Sequence, residues 1–568
     1  MILTKRWVIQ QVDDAEAVER LSSELNINKT LARLLVLRGV KTFDEARNFF
    51  RPDASHLHDP FLMRDMDKAV NRLLDAIETG EKILIYGDYD VDGTTSVALV
   101  YSFLKNYYPH IGYYIPDRYK EGYGISTAGI DYARENDFKL IIALDCGIKS
   151  IDKVDYAISL GIDFIICDHH LPGEEVPKAV AVLDPKQEGC DYPYKELSGC
   201  GIGFKLMQGY CIKQGISIDA LLKYIDLVVV SIAADIVPIT GENRTLACLG
   251  LKKLNTNPIP GLKALLELQK LNRELTISDI VFIIGPRINA AGRIENGARA
   301  VELLIAEHID NAALPSADIN ENNDTRRDLD RAITLSALDM IQNDDRYNNR
   351  RSTVVYSPDW HKGVIGIVAS RLTEVYYRPT IVLTQSGDYV AGSARSVKGF
   401  DVYEAILACS DLLIQFGGHK FAAGLTMHTD NVDAFIEKFE DIVSATITEE
   451  SLTPEIEVDA EINFNEITSK FYDVLRQFAP FGPGNMNPVF LTKDVKDRGY
   501  GRVVGADHLK LDLQQENPNI FFNAIAFGQG HQLEKIMRKL PFDVCYAIEP
   551  NEWQGKITLQ LNVKDMAF

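Results

Sequence analysis

Residues 61–308 predict an α/β domain built on a doubly wound parallel sheet, and three observations predict it. Short apolar runs, KILIYG, KLIIAL and DFIIC, alternate with amphipathic stretches long enough to be helices. Each run is apolar along its whole length, as a strand covered on both faces must be. Each ends in acids or histidines, at the carboxyl edge where such sheets place their ligands.

The elements follow in order. MDKAVNRLLDAIETG reads as an amphipathic helix, KILIYGD as the first strand and SVALVYSFLKNYY as the helix after it. HIGYYIP, KLIIALDCG and DFIICDHH read as further strands, separated by helices through STAGIDYARENDF and KSIDKVDYAISLG. LLKYIDLVVVSIAADIVP is so apolar that it reads as a buried helix, yet it carries Asp226 and Asp235. A buried aspartate needs a partner, and Asp235, at the helix end, suits a metal better than Asp226, which can pair or cap within the fold.

The turn after the first strand holds Asp88, Asp90 and Asp92 at alternate positions. Three carboxylates on one turn repel one another, so a cation among them is the economical account, although a solvated Asx-rich turn would carry the same letters. Asp145 and the run Asp168-His169-His170 repeat the pattern on the next two strands. Hard carboxylates mixed with imidazoles suit manganese or magnesium better than zinc. Cys146 and Cys167 neighbour these motifs but are expected to alternate into the core.

Composition sets the frame. A chain of 568 residues exceeds a single core, and 46% hydrophobic with 25% charged residues is an ordinary globular balance. The net charge of −21 argues against binding nucleic acid over the whole surface and leaves room for a narrow basic channel. Eight scattered cysteines without a CxxC pair argue against a disulfide framework or zinc finger and for a reducing compartment. No apolar run reaches the length of a membrane span, so the expected location is cytoplasmic, without a membrane partner.

DYDVDG, LDCG, DHH and AADIVP, in that order, resemble the four motifs of the DHH phosphoesterase superfamily. GPRINAAGR and GGHKFAAG resemble its RecJ branch of single-strand-specific 5'-to-3' exonucleases. The resemblance implies two Mn2+ or Mg2+ ions held by Asp90, Asp92, Asp145, His169 and Asp235, with Asp88 as a further ligand. It implies that His170 faces the substrate phosphate or assists the leaving group, and that Asp90, Asp92 and Asp145 share in the chemistry. Two cations about 3.5 to 4 Å apart activate a water and stabilise an in-line displacement at phosphorus.

Anion-binding candidates follow. GPRINAAGRIENGARA places Arg287, Arg293 and Arg299 among small residues at an expected helix entrance, with Asn289 between them. Ser393 and Arg395 lie in GSARS, and Gly417, Gly418, His419 and Gly424 in GGHKFAAG, a glycine-rich run that reads equally as a tight turn. Arg287, Ser393 and Arg395, with Arg118 from IPDRYKEGYG, form a candidate pocket for a 5'-terminal phosphate.

The expected division is a helical lead-in over 1–60, the DHH domain over 61–308, a linking helix over 309–348, a DHHA1-like substrate-binding α/β lobe over 349–450, and an OB-like β-barrel over 451–568. Alternating strands from EIEVDAEINF to KITLQLNVKDM carry that last expectation, and exposed Tyr500 or Trp553 could stack on bases there. The expected activity is degradation of single-stranded DNA to 5'-mononucleotides in recombination and repair, through a cleft too narrow for a duplex. Expected partners are single-stranded DNA, a single-strand-binding protein and a helicase. The competing readings are a DHH phosphodiesterase on short oligonucleotides or cyclic dinucleotides, and a non-catalytic replication scaffold.

Overall fold

The computed structural model describes residues 4–568 except 272, 295 and 554, and the side chains of 553 and 556 are also outside the described set, so the reading of Trp553 falls outside it. The chain forms two compact units. One comprises Gln11–Asn323 with Glu466–Pro488, and the other the described residues up to Gln10, Asp324–Asn465 and Val489–Phe568.

The first unit is organised by a five-stranded, wholly parallel sheet. Its order is Ile111–Tyr114, Lys82–Gly87, Phe138–Leu144, Asp163–Cys167, Ala181–Leu183. Helices cover both faces, so the central strands are apolar without alternation: Ile83, Leu84, Ile85 and Tyr86 are all fully buried, as are Leu140 to Leu144. Residues on one face of Lys82–Gly87 join the large core with helices Met66–Thr79, Val91–Leu104 and Gly199–Gln214, and those on the other join a smaller core with Ile130 and Val154. Cys146 and Cys167 are buried in these cores.

Glu466–Pro488 belongs to this unit because Arg244 holds it there. The buried guanidinium donates to the carbonyls of Gln477, Phe478 and Ala479 at 2.8–3.2 Å and to Phe49 at 3.1 Å, and it stacks 3.7 Å from the Phe49 ring. Asp226 pairs within the fold, with Lys253 at 3.2 Å and the Ile259 amide at 2.8 Å.

GPRINAAGR is not a loop before a helix. A π-helix, Ile280–Ile284, runs directly into the α-helix Gly285–Ile294, so the glycines sit within helical backbone. A long polar helix spans Ile309–Gln342, with Pro315 inside it.

In the second unit one five-stranded sheet runs in the order Leu413–His419, Ala422–His428, Tyr389–Arg395, Thr380–Ser386, Thr353–Tyr356, with the last pair parallel and the rest antiparallel. A second sheet of seven strands, Ala460–Glu461 to Lys556–Ala567, bends back on itself, because Phe490–Asp497 pairs with both Phe542–Trp553 and His508–Gln514. That return pairing closes the ring of an OB-type barrel. The lead-in is not wholly helical. Arg6–Ile9 is a strand paired in parallel with Glu455–Val458, in register Arg6↔Glu455.

Candidate metal centre

The site lies at the carboxyl edge of the parallel sheet. Asp90 caps the helix Val91–Leu104, its Oδ1 accepting from the Gly93 amide at 2.9 Å. Asp92, two residues on in the first turn, is buried and held by the start of another helix: its carboxylate accepts from the Gly199 amide at 2.7 Å and the Cys200 amide at 2.8 Å, and from Ser231 Oγ at 2.7 Å. Helix amides that favour negative charge fix both oxygens in one orientation.

Asp145 follows the strand Phe138–Leu144 in a left-handed conformation, φ 59°. An aspartate tolerates that region better than most residues, and the turn directs a fully buried carboxylate into the site. Its neighbour must be glycine: a Cβ on Gly199 would stand 2.6 Å from the Asp145 Cβ.

Asp168 ends the next strand and organises both histidines. Its Oδ1 accepts from the amides of His169 at 2.8 Å and His170 at 3.1 Å and from His170 Nδ1 at 2.8 Å, while Oδ2 accepts from the Ile148 amide at 2.9 Å. Burial works against the Asp168 charge, but these bonds and the His170 charge hold its carboxyl down at about 2. Burial likewise opposes the His170 charge, and Asp168 holds that imidazole up at about 9.

His169 points inward. Its Nε2 lies 3.1 Å from Asp145 Oδ1, 3.5 Å from Asp235 Oδ2 and 3.7 Å from Asp92 Oδ2. Asp235 terminates the helix Ile225–Ala234, and the residue after it, exposed Ile236, takes φ 59°. A β-branched residue in that region is a genuine outlier, and here it redirects the chain at the site.

These side chains fit a divalent cation. Among the described residues, Asp92, His169 and Asp235 present ligand atoms within 4.8 Å of one another, as do Asp145, His169 and His170. Asp88 Oδ2, Asp145 Oδ1 and both His169 ring nitrogens are buried without a hydrogen-bond partner, a cost a protein rarely carries unless something else satisfies the atoms. Burial pushes the carboxyls of Asp88 and Asp145 well up, and so does the charge of neighbouring acids: Asp90 at Asp88, and Asp92, Asp90 and Asp235 at Asp145. Asp235 is pushed to about 8 for the same reasons. Carboxylates so arranged ionise together only around positive charge, and oxygen-rich donors with an imidazole are those of a hard or borderline divalent ion. Asp88 and Asp90 stand in neither three-residue group, though Asp90 is within hydrogen-bonding reach of Asp145.

The anion-binding candidates divide. Arg118 lies over the Tyr89 ring at 5.0 Å and faces Asp88, and Arg293 lends its charge to Tyr89 and Tyr119, so these two flank the metal cluster. Arg287 does not join them. It is buried, donating to Asn320 Oδ1 at 3.1 Å, Ile283 O at 2.7 Å and Gln269 Oε1 at 2.6 Å, so it staples the helices and is not open to a phosphate. Asn289 is half-buried on the same helix, and exposed Arg299 pairs with Glu302 at 2.8 Å.

In the other unit Ser393 and Arg395 project from one face of the strand Tyr389–Arg395, and Arg395 bonds Ser370 Oγ at 3.1 Å and Ser393 Oγ at 3.2 Å. A Cβ on Gly366, in the first turn of the helix Ile365–Tyr376, would meet Ser393 Oγ at 2.9 Å and the Arg395 guanidinium at 3.0 Å. Cation and helix N-terminus thus face one spot. Gly417, Gly418, His419 and Gly424 lie on an exposed hairpin, not at a helix start. Gly418 takes φ 146°, and a Cβ there would stand 2.3 Å from the Ala422 oxygen.

Four residues that shape the site were given no role in it from the sequence. Asp168 stood inside a motif whose histidines drew attention, and Ser231 sits in an apolar helix with no local signal. Asp184 follows the strand Ala181–Leu183, so VLDPK was a fourth strand ending in an acid, and burial pushes that carboxyl up to about 7. Tyr123 lies between two glycines, and its hydroxyl reaches His170.

Comparison with known proteins finds three domain families along the chain. The DHH family N-terminal domain matches residues 82–232, the DHHA1 domain 350–445 and the RecJ OB domain 458–565. A single-stranded-DNA-specific exonuclease RecJ of Bacillus subtilis is 36% identical over 567 residues, covering 99% of this chain and 71% of its own length. The Escherichia coli protein of the same description is 32% identical, covering 94% and 95%. In fold, the chain is similar to RecJ of Thermus thermophilus crystallised with Mn2+, at a TM-score of 0.85 and 24% identity over 99% of this chain and 79% of that one. An exonuclease RecJ bound to manganese is similar at a TM-score of 0.60 and 30% identity, covering 68% and 96%.

Proposed function

The chain belongs to the RecJ family of single-stranded-DNA-specific exonucleases, and from that premise we propose that it degrades single-stranded DNA from the 5' end to 5'-mononucleotides, in recombination and repair. The observation that carries the reading is the convergence of Asp92, Asp145, His169 and Asp235 on one point at the edge of the parallel sheet.

On this reading Asp90, Asp92, Asp145, His169 and Asp235, with Asp88 behind them, hold two Mn2+ or Mg2+ ions. When bound, the ions supply activation of the attacking water and neutralisation of charge at phosphorus. The protein's own groups do the rest. His170, charged and braced by Asp168, presents Nε2 to the phosphoryl group or the departing 3' oxygen. Arg118 and Arg293 hold flanking phosphates beside Tyr89. Ser393 and Arg395, at a helix N-terminus, receive the 5'-terminal phosphate.

The net charge of −21 disfavours gathering DNA over the whole surface, which supports delivery of the strand by a helicase and a single-strand-binding protein. No helix among the described residues is long and apolar enough to cross a membrane. Eight free cysteines, seven of them buried, support a reducing compartment, the cytoplasm.

The test is release of mononucleotides from a 5'-labelled single strand with Mn2+. The reading requires loss of activity with chelator and in Asp145→Ala, and little cutting of a blunt duplex. A protein that binds single strands and cuts none with either metal would overturn it.

A further inference from the structure

We propose that Tyr123 is a positioning residue for His170, fixing the outer nitrogen of the imidazole through its phenolic hydroxyl. The inference rests on the exonuclease reading and adds to it a residue that the metal and phosphate assignments leave out.

The inner end of the His170 ring is anchored by Nδ1 on Asp168 Oδ1 at 2.8 Å. One hydrogen bond leaves a ring free to pivot about that contact, and although the His169 ring packs edge-on against it at 4.6 Å, 44% of the side chain's surface is exposed, so packing alone does not fix its outer end. Tyr123 does. Its hydroxyl lies 3.3 Å from His170 Nε2 and 3.5 Å from the Asp145 carbonyl oxygen, so its oxygen can take one branch of a three-centre bond from Nε2–H, leaving the other branch to a substrate oxygen, while its O–H donates to that carbonyl.

The second contact depends on backbone conformation. Asp145 takes φ 59°, and the turn that aims its carboxylate at His169 also leaves its carbonyl facing Tyr123. One residue therefore links the metal-facing side of the site to the substrate-facing side.

Tyr123 is not a core tyrosine that happens to lie close. It is 54% exposed, and its ring meets those of Tyr89 and His170 edge-on at 6.1 Å each. Gly122 and Gly124 on either side take φ 87° and 82°, conformations that present the side chain outward. The turn itself is braced: Glu121 accepts from the Asp117 amide at 2.8 Å and from Ser126 Oγ at 2.5 Å, and Tyr86 Oη donates to the Gly124 carbonyl at 2.9 Å. The hydroxyl is held where it is by a built loop, which is what a positioning group requires.

The experiment is Tyr123→Phe in the full chain, read two ways. With Mn2+ and a 5'-phosphorylated single strand, kcat is expected to fall about tenfold with KM within about twofold, the cost of losing one positioning hydrogen bond. With chelator, and no DNA, the 15N resonance of His170 Nε2 in histidine-labelled protein is expected to move. An unchanged kcat, an unmoved Nε2 resonance, or a raised KM at constant kcat would each overturn the proposal, the last by making Tyr123 a substrate contact. Should the wild-type chain cut no DNA, the exonuclease reading fails, and the resonance still decides the role of Tyr123.

Discussion

Asp168 Oδ1 sits 2.8 Å from His170 Nδ1 and accepts two backbone amides besides, while Oδ2 takes the Ile148 amide at 2.9 Å. Every one of these partners is a donor. Asp168→Asn must turn an NH2 toward either Ile148 N–H or the His170 cluster, so one donor faces another. We expect kcat to fall roughly 10–100-fold, as for other groups that orient a residue at a metal site, with single-strand binding at low salt retained. Full activity in that variant would show that His170 needs no brace.

Cation binding should stabilise the fold. At a free Mn2+ concentration of about 100 times Kd, linkage adds roughly 2.7 kcal/mol. That corresponds to a rise of roughly 4 °C in the transition of a unit of this size. Asp145→Ala should remove most of the Mn2+-dependent rise while raising the melting temperature without metal, because it deletes one of several mutually repelling buried acids. Scanning calorimetry with Mn2+ and with chelator decides the matter, and an equal rise in both proteins would place the ion elsewhere.

The strand-end residues were legible because two signals coincide there: an apolar run of strand length, then an acid or imidazole that a buried edge would otherwise exclude. Asp88, Asp145 and His169 follow from that alone. Arg287 misled because a run of glycine and alanine around arginines describes a loop at an anion site and a tightly packed helix equally well. Only the acceptors around it, Asn320, Ile283 and Gln269, distinguish the two. The strand Arg6–Ile9 was invisible for another reason, since its partner Glu455–Val458 lies more than 400 residues away and no local pattern reports such a pairing. Ser231 and Tyr123 belong to the same class, with roles created by what folds against them.

Arg395 should report on the chain end. Among the described residues no acid pairs with it, and burial pushes its guanidinium down, so an anion there gains from an otherwise poorly compensated charge. Arg395→Ala is expected to reduce kcat/KM on 5'-phosphorylated single strands about tenfold and to leave 5'-hydroxyl strands within twofold, on the scale of one lost charge-assisted contact. Equal losses on both ends would reject the 5'-phosphate pocket.

Lys205 and Glu242 form a buried ion pair at 2.9 Å, with both side chains fully covered. Glu242 also accepts from Tyr192 Oη at 2.5 Å and the His58 amide at 3.0 Å, and Lys205 donates to the His58 carbonyl at 2.6 Å. Lys205→Met leaves the Glu242 carboxylate buried without its cation and is expected to cost about 3–5 kcal/mol. Adding Glu242→Gln should recover part of the loss, since the remaining carbonyl and amide can still meet Tyr192 and His58. Urea unfolding of the single and double variants measures this, and a double variant less stable than Lys205→Met would contradict it.

Acid should loosen the base of the π-helix first. Asp279 meets Arg273 through both carboxylate oxygens, at 2.5 and 2.7 Å, and caps Thr276 at 2.8 Å. Burial raises its carboxyl, yet Arg273 and Thr276 outweigh that and hold it below the ordinary aspartate value of 3.8. Because the folded value is depressed, the stabilisation is present above pH 3.8 and disappears as pH falls below it. Arg273 is 57% exposed, so screening keeps the pair's own share small, and most of the effect comes from the amide and hydroxyl bonds. Asp279→Asn should therefore lower stability by about 1 kcal/mol at pH 7 and by little near pH 2.5. Amide exchange across Ile280–Ile284 should quicken in wild type as pH falls through that range, after correction for intrinsic rates, and stay level in the variant. A wild-type profile flat from pH 5 to 2.5 would mean that Asp279 does not anchor the segment.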